Sequence, residues 1–270
     1  MGTISKIILM CLLLTSCSAI IYQPDNYLYA TPEQFKVKFE AFTIPSIDGT
    51  KLSAWRMFSK NKNPKNLILY FHGNAQNLTS HFANSVWMMD HDYDSIIFDY
   101  RGYGLSEGKP EPKGVAEDGL AFLNYAYEQY KKGGFKRFIV YGQSLGGAIL
   151  LKSLEDFKHR DEIALLVLDS TFLSPREVAR EKTFWPLSLI ITNSYTADPK
   201  LLHLTMPVLS IHSTEDFVIA YKLGQQLYNR ITTSPKKDFW TFSIRGHGDV
   251  FYVENKKYQQ EFLKYVEALP

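Results

Sequence analysis

The chain has 270 residues, 45% hydrophobic and 21% charged, with a formal net charge of +2. That length holds one large α/β domain or two small ones and can bury a substantial core. So small a charge gives no sign of a nucleic-acid surface, and the one lysine-rich stretch, KNKNPKN, reads as a solvated loop.

Lys6 precedes an apolar run from Ile7 to Leu14. The run is too short for a bilayer, which takes about 20 residues, and it has the layout of a secretory signal. It ends in Leu14-Thr15-Ser16-Cys17. This resembles the lipobox of bacterial lipoproteins, which implies a signal peptide over 1–16 and a lipidated Cys17 opening the mature chain. An ordinary signal peptide with a coincidental cysteine is the alternative. The only other cysteine, Cys11, would leave with the signal, so the mature domain has no thiol for catalysis or for a metal cluster. Ser18 is not acidic, which in enteric bacteria favours the outer membrane, with the domain facing the periplasm.

Residues 17–35 hold Pro24, Asp25, Asn26 and Pro32 without a sustained period and read as a tether. Two β-rich runs then flank Asp48-Gly49, a hairpin signal. From NLILYF onward, apolar strands alternate with helices expected at 78–90, 114–131, 145–157, 219–230 and the C-terminus. The last carries Tyr258, Phe262, Tyr265 and Val266 on one face. The pattern predicts a mostly parallel sheet covered on both faces, with the hairpin at one edge, over 36–270. One gap, about 172–204, has no strand. Ser174 and Pro175 open a helix there, and an insertion at that point covers the carboxyl ends of the strands, where ligands bind.

Gly142-Gln143-Ser144-Leu145-Gly146 falls where a strand gives way to a helix. A nucleophile elbow needs that place and needs glycines two residues to either side, where a Cβ would clash. The Leu145 N–H then points into the site from a helix N-terminus, suited to an oxyanion. Serine needs a base. Among His159, His203, His212 and His247, the last lies between the final strand and helix in Gly246-His247-Gly248 and is the candidate. His159 reads as solvated, and His212 and His72 as structural. Asp216, after the penultimate strand, is the candidate orienting acid. Glu215, Asp169 and Asp249 are its rivals.

Ser144, Asp216 and His247 occur in the chain order of the α/β-hydrolase superfamily. YFHGNAQN resembles its strand–oxyanion loop, and DYRGYGLSEG the Asp-x-Arg-Gly-x-Gly-x-Ser loop of the monoglyceride-lipase-like and serine-aminopeptidase-like branch. The resemblance, over about 36–268, implies an α/β-hydrolase fold and an oxyanion hole from the N–H groups of Asn74 and Leu145. It implies acyl transfer through an acyl-enzyme without metal or organic cofactor. Arg101, Tyr103 and Ser106 read as loop architecture. Phe172, Leu173, Phe184, Trp185, Leu187, Leu189, Ile190 and Ile191 make the insertion apolar, either as an acyl-chain pocket or as its own packing. The expected activity is a carboxylesterase or lipase-like one on a small or lipid-like acyl ester. Thioesterase, peptidase and acyltransferase chemistry, or a non-catalytic anchored scaffold, are the alternatives. Nucleic acid is not an expected partner.

Overall fold

The computed structural model describes residues 21–182 and 204–269. The expected signal peptide with Cys17, the lid residues Phe184, Trp185, Leu187, Leu189, Ile190 and Ile191, and His203 lie outside the described residues.

The leading hairpin forms as expected: β1 (Phe39–Pro45) pairs antiparallel with β2 (Lys51–Met57) around Gly49, whose φ of 89° suits glycine. The remaining strands are β3 (Asn66–Phe71), β4 (Tyr93–Phe98), β5 (Arg137–Gln143), β6 (Leu165–Asp169), β7 (Val208–Ser213) and β8 (Lys237–Phe242). They form one eight-stranded sheet in the order β1-β2-β4-β3-β5-β6-β7-β8. Every pairing from β4 to β8 is parallel, and β2 meets β4 antiparallel.

The sheet has two buried faces because its inner strands alternate between two cores. Leu67, Leu69 and Phe71 of β3 pack with Phe122 and Leu123 of α2 (Pro112–Gly133) and Ile149 and Leu150 of α3 (Leu145–Ser153). Ile68 and Tyr70 face the other way, toward Trp87, Phe251 and Phe262. Phe262 and Val266 belong to the C-terminal helix (Lys257–Glu267), which has the expected apolar face. Continuous apolar strands are what such two-sided burial requires.

Three expectations are corrected. The helix expected at 78–90 is a single turn, α1 (Leu78–His81), followed by 3₁₀ segments Phe82–Asn84 and Val86–Asp90. Val86, Trp87, Met88 and Met89 are all buried, and four consecutive residues cannot share one face of an α-helix. Helix α3 ends at Ser153 rather than running to 157. The segment read as a tether is docked from Ile21 onward, with Tyr22 only 2% exposed.

The loop after β4 is architectural, as its sequence suggested. The Arg101 guanidinium donates to Asp118, Asp48 and the Ser46 hydroxyl. Ser106 accepts from Ser53 N–H and donates to the Asp99 carbonyl, tying the loop to β2. The Arg101 and Asp118 side chains are 7% and 0% exposed, so removing one partner strands a buried charge. Arg101→Ala is expected to lower unfolding free energy by about 3–5 kcal/mol in urea titrations. A loss below about 1 kcal/mol would show the network to be dispensable.

Candidate active site

Parallel strands in register bring their carboxyl ends to one edge. Phe71 pairs with Gly142, Gln143 with Asp169, and Asp169 with Ile211. The residues just beyond those ends, His72-Gly73, Ser144, Ser170-Thr171 and the loops after β7 and β8, therefore meet along that edge.

Ser144 has φ 52° and ψ −123°, a conformation that L side chains rarely adopt. It persists because its surroundings hold it. Ser144 N–H donates to the Asp169 carbonyl at 2.9 Å, and the Thr171 hydroxyl donates to the Ser144 carbonyl at 2.6 Å. The flanking glycines are needed because a Cβ at either would clash with backbone. A Cβ on Gly142 would lie 2.5 Å from Gly147 Cα, and one on Gly146 would lie 2.2 Å from the Phe71 carbonyl oxygen. Gly147 is equally crowded, 2.4 Å from Thr171 Oγ1. Helix α3 thus leaves the elbow pressed against β3 and the loop after β6.

Across the edge, His247 Nδ1 and Asp216 Oδ2 are hydrogen-bonded at 2.8 Å. Asp216 Oδ1 accepts from the N–H groups of Val218 and Ile219, at 2.8 Å each. Oδ2 also lies 3.4 Å from His212 Nε2. Burial raises the Asp216 pKa, but the hydrogen bonds from His212 and His247, the His247 charge and the Ile219 amide outweigh it. The carboxyl is held below its ordinary range. The His247 loop backs onto the elbow: a Cβ on Gly248 would lie 1.9 Å from Gln143 Nε2.

The rival acids are engaged elsewhere. Asp169 accepts from the Tyr141 and Ser170 hydroxyls, and burial lifts it above the usual carboxylate range. Glu215 accepts from the Ser243 hydroxyl. Asp249 accepts from the His247 N–H and so shapes that loop without touching the ring nitrogens. His159 stacks on Tyr127 with ring centroids 4.0 Å apart. His72 is fully buried, with Nδ1 2.8 Å from the Gly73 carbonyl. His212 is structural in part, with Nε2 3.0 Å from the Ile219 carbonyl, but it also supports Asp216.

Neither Asn74 nor Leu145 has a backbone N–H hydrogen bond among the described residues, and both adjoin the elbow. A Cβ on Gly73, next to Asn74, would lie 3.5 Å from Ser144 Cβ. The same point is 3.5 Å from His81 Cε1, a neighbour that sequence reasoning missed. Burial, with the adjacent His72 ring, lowers His81 to about 3, so it is neutral at pH 7. Its place opposite Ser144 comes from the turn α1, whose N-cap Asn77, accepting from the Thr79 N–H, was the signal for a helix start there. Among the described residues, no group of three His, Cys, Asp or Glu side chains converges as a metal site. Phe172 and Leu173, the described residues of the expected acyl pocket, are buried in the core with Leu145 and Ile219.

A doubly covered, mostly parallel sheet with a strained serine between β5 and α3 defines an α/β-hydrolase fold. The family described as serine aminopeptidase, S33, matches over residues 62–201, and the chain belongs to it. The protein YfhR of Salmonella typhimurium, itself uncharacterised, is 31% identical over 247 residues, covering 86% of this chain and 82% of its own. The lysophosphatidylserine lipase ABHD12 of Danio rerio is 28% identical over 223 residues, covering 76% of this chain and 56% of its own. Among solved structures, the Pyrococcus furiosus esterase Pf2001 superposes with a TM-score of 0.72 at 18% identity, over 92% of this chain and 99% of its own.

The depressed Asp216 pKa bears on stability. The folded value lies below the unfolded one of about 4, so the carboxylate contributes stability that is complete above pH 4. That contribution is lost as pH falls through the folded value. Asp216→Asn is therefore expected to lower the thermal midpoint at pH 7, and by less at pH 3. A gap of constant size at both pH values would contradict the assignment.

Proposed function

We propose that the protein is a serine hydrolase that cleaves carboxylic esters through Ser144, His247 and Asp216. The observation that carries this reading is the pairing of a strained serine elbow with a His247–Asp216 hydrogen bond along one sheet edge. Membership of a hydrolase family and likeness in fold to esterases support it.

In this reading Asp216 holds His247 through Nδ1 and leaves Nε2 for the serine. Nε2 takes the Ser144 proton as Oγ attacks the ester carbonyl carbon, and the carbonyl π pair moves onto oxygen. The N–H groups of Leu145 and Asn74 donate to that oxyanion. The intermediate collapses, the C–O bond to the alcohol breaks, and the alcohol leaves with the proton from His247. Water then attacks the acyl-serine, giving its proton to His247, and the acid leaves as Ser144 recovers its own. No step calls for a metal or organic cofactor.

A lipid-like ester is the favoured substrate. A relative bears the name of a lysophosphatidylserine lipase. The apolar insertion, with Phe184, Trp185 and Leu187, supplies acyl-chain contacts in this proposal. Export as a lipoprotein anchored through Cys17, facing the periplasm from the outer membrane, belongs to the same proposal. Cys17 lies four residues before Ile21, which the Asn74 side chain grips. At up to about 3.5 Å per residue, the lipid attachment would then stand within about 14 Å of that grip. The oxyanion loop would work close to the bilayer surface.

Ser144→Ala is expected to lower kcat on p-nitrophenyl esters by more than about 1000-fold without unfolding the protein. Trp185→Ala is expected to shift the preferred acyl length among those esters. Unchanged hydrolysis in the serine variant overturns the reading, and an unchanged length profile removes Trp185 from the acyl pocket.

A further inference from the structure

We propose that the N-terminal segment Ile21–Asp25 is a strap that positions the Asn74 N–H of the oxyanion hole, acting through the Asn74 side chain. The inference rests on the hydrolase reading above and adds a residue set that neither the fold nor the catalytic trio requires.

The Asn74 side chain does not face a substrate, because both of its ends are engaged. Nδ2 donates to the Ile21 carbonyl at 2.6 Å. Oδ1 accepts from the Gln23 N–H at 3.0 Å and from the Tyr103 hydroxyl at 2.9 Å. One amide thus joins the N-terminal segment, the loop after β3 and the loop after β4.

The next two residues in the chain make a clamp necessary. Ala75 and Gln76 have φ of 60° and 57°, left-handed values that are uphill for residues with a Cβ. Two such residues in a row persist only when the surroundings over-determine them. The strap supplies part of that constraint. Pro24 and Gln76 form a parallel bridge, and Asp25 N–H reaches the Gln76 carbonyl. Asn77 Nδ2 donates to Asp25 Oδ1 at 2.8 Å and to the Tyr27 carbonyl at 2.8 Å. Gly104 N–H donates to the Asp25 carbonyl at 2.8 Å, which ties the strap to the far side as well. Buried Tyr22 pins its start.

An oxyanion donor works only within about 2.7–3.1 Å of where the charge develops. Leu145 N–H is fixed by helix α3, whereas Asn74 N–H sits between a glycine and a strained pair. Loosening the strap therefore displaces one donor of the two. The cost falls on the transition state rather than on substrate binding.

The test uses the full chain with Gln23→Pro, which removes one N–H, and Tyr103→Phe, which removes one hydroxyl. Tyr265→Phe is the control. It deletes the Tyr265–Asp238 hydrogen bond of 2.8 Å between the C-terminal helix and β8 and touches neither the strap nor Asn74. Each variant is assayed with p-nitrophenyl butyrate and with a trifluoromethyl ketone, whose serine adduct carries the oxyanion. Gln23→Pro, in the strap, and Tyr103→Phe, on the opposite hold of the Asn74 side chain, are each expected to lose about tenfold in kcat, less than the roughly 10²–10³ of a deleted donor, with KM within about twofold. Ketone affinity should fall by the same factor as kcat, while Tyr265→Phe changes neither. If the wild type is active and these two variants keep its kcat and ketone affinity, or lose thermal stability alone, the strap has no positioning role. If the wild type neither hydrolyses the ester nor binds the ketone, the hydrolase reading fails first and the strap proposal with it.

Discussion

The close approach of helix α3 to strand β3 is the constraint on which the site depends. A Cβ on Gly146 would lie within 2.6 Å of three backbone atoms of Phe71 and His72, so the helix starts where only glycine fits. That approach fixes the direction in which Leu145 N–H points. It also forces the chain from β5 to turn within one residue, leaving Ser144 at φ 52° with its side chain at the tip. The strain has no local compensation. It is carried by backbone hydrogen bonds to β6, by Thr171, and by a core packed against both faces of the sheet.

The rest of the site is a set of supports around that turn. Asp216 is held by two backbone amides and two histidines, so its charge is secure and the His247 ring is oriented. Gln143, the residue before the serine, accepts from the Tyr70 hydroxyl and from Asn84, and its amide nitrogen packs on Gly248. The elbow and the histidine loop are therefore braced against each other through a single side chain. Such bracing counts because a displacement of about 1 Å can cost a hundredfold in rate.

Much of this was legible in the sequence, and the reasons differ by element. The inner strands are buried on both faces, so they read as continuous apolar runs. Gly142 and Gly146 pointed to the elbow, and only the structure shows what they avoid: the start of helix α3 for Gly142, and the Phe71 and His72 backbone for Gly146. Asp216 was distinguishable by its position after the penultimate strand, while only geometry showed Asp169 to be occupied by Tyr141 and Ser170. The region 78–90 misled because Leu78, Phe82 and Val86 mimic a helical stripe, whereas the burial of Trp87, Met88 and Met89 beside Val86 demands a tighter path. The docking of Ile21–Asp25 left no pattern at all. Its bonds run largely through backbone carbonyls and N–H groups, which every sequence possesses.

Everything proposed for this site requires Ser144 to be an activated nucleophile. Fluorophosphonates react with such serines, so the purified protein would be incubated with a fluorescent one, digested, and its peptides weighed by mass spectrometry. One labelled peptide is expected, with the phosphonyl group on Ser144, and labelling should be abolished in His247→Ala. A folded wild-type protein that takes up no label, or takes it up at another residue, would contradict the nucleophile assignment.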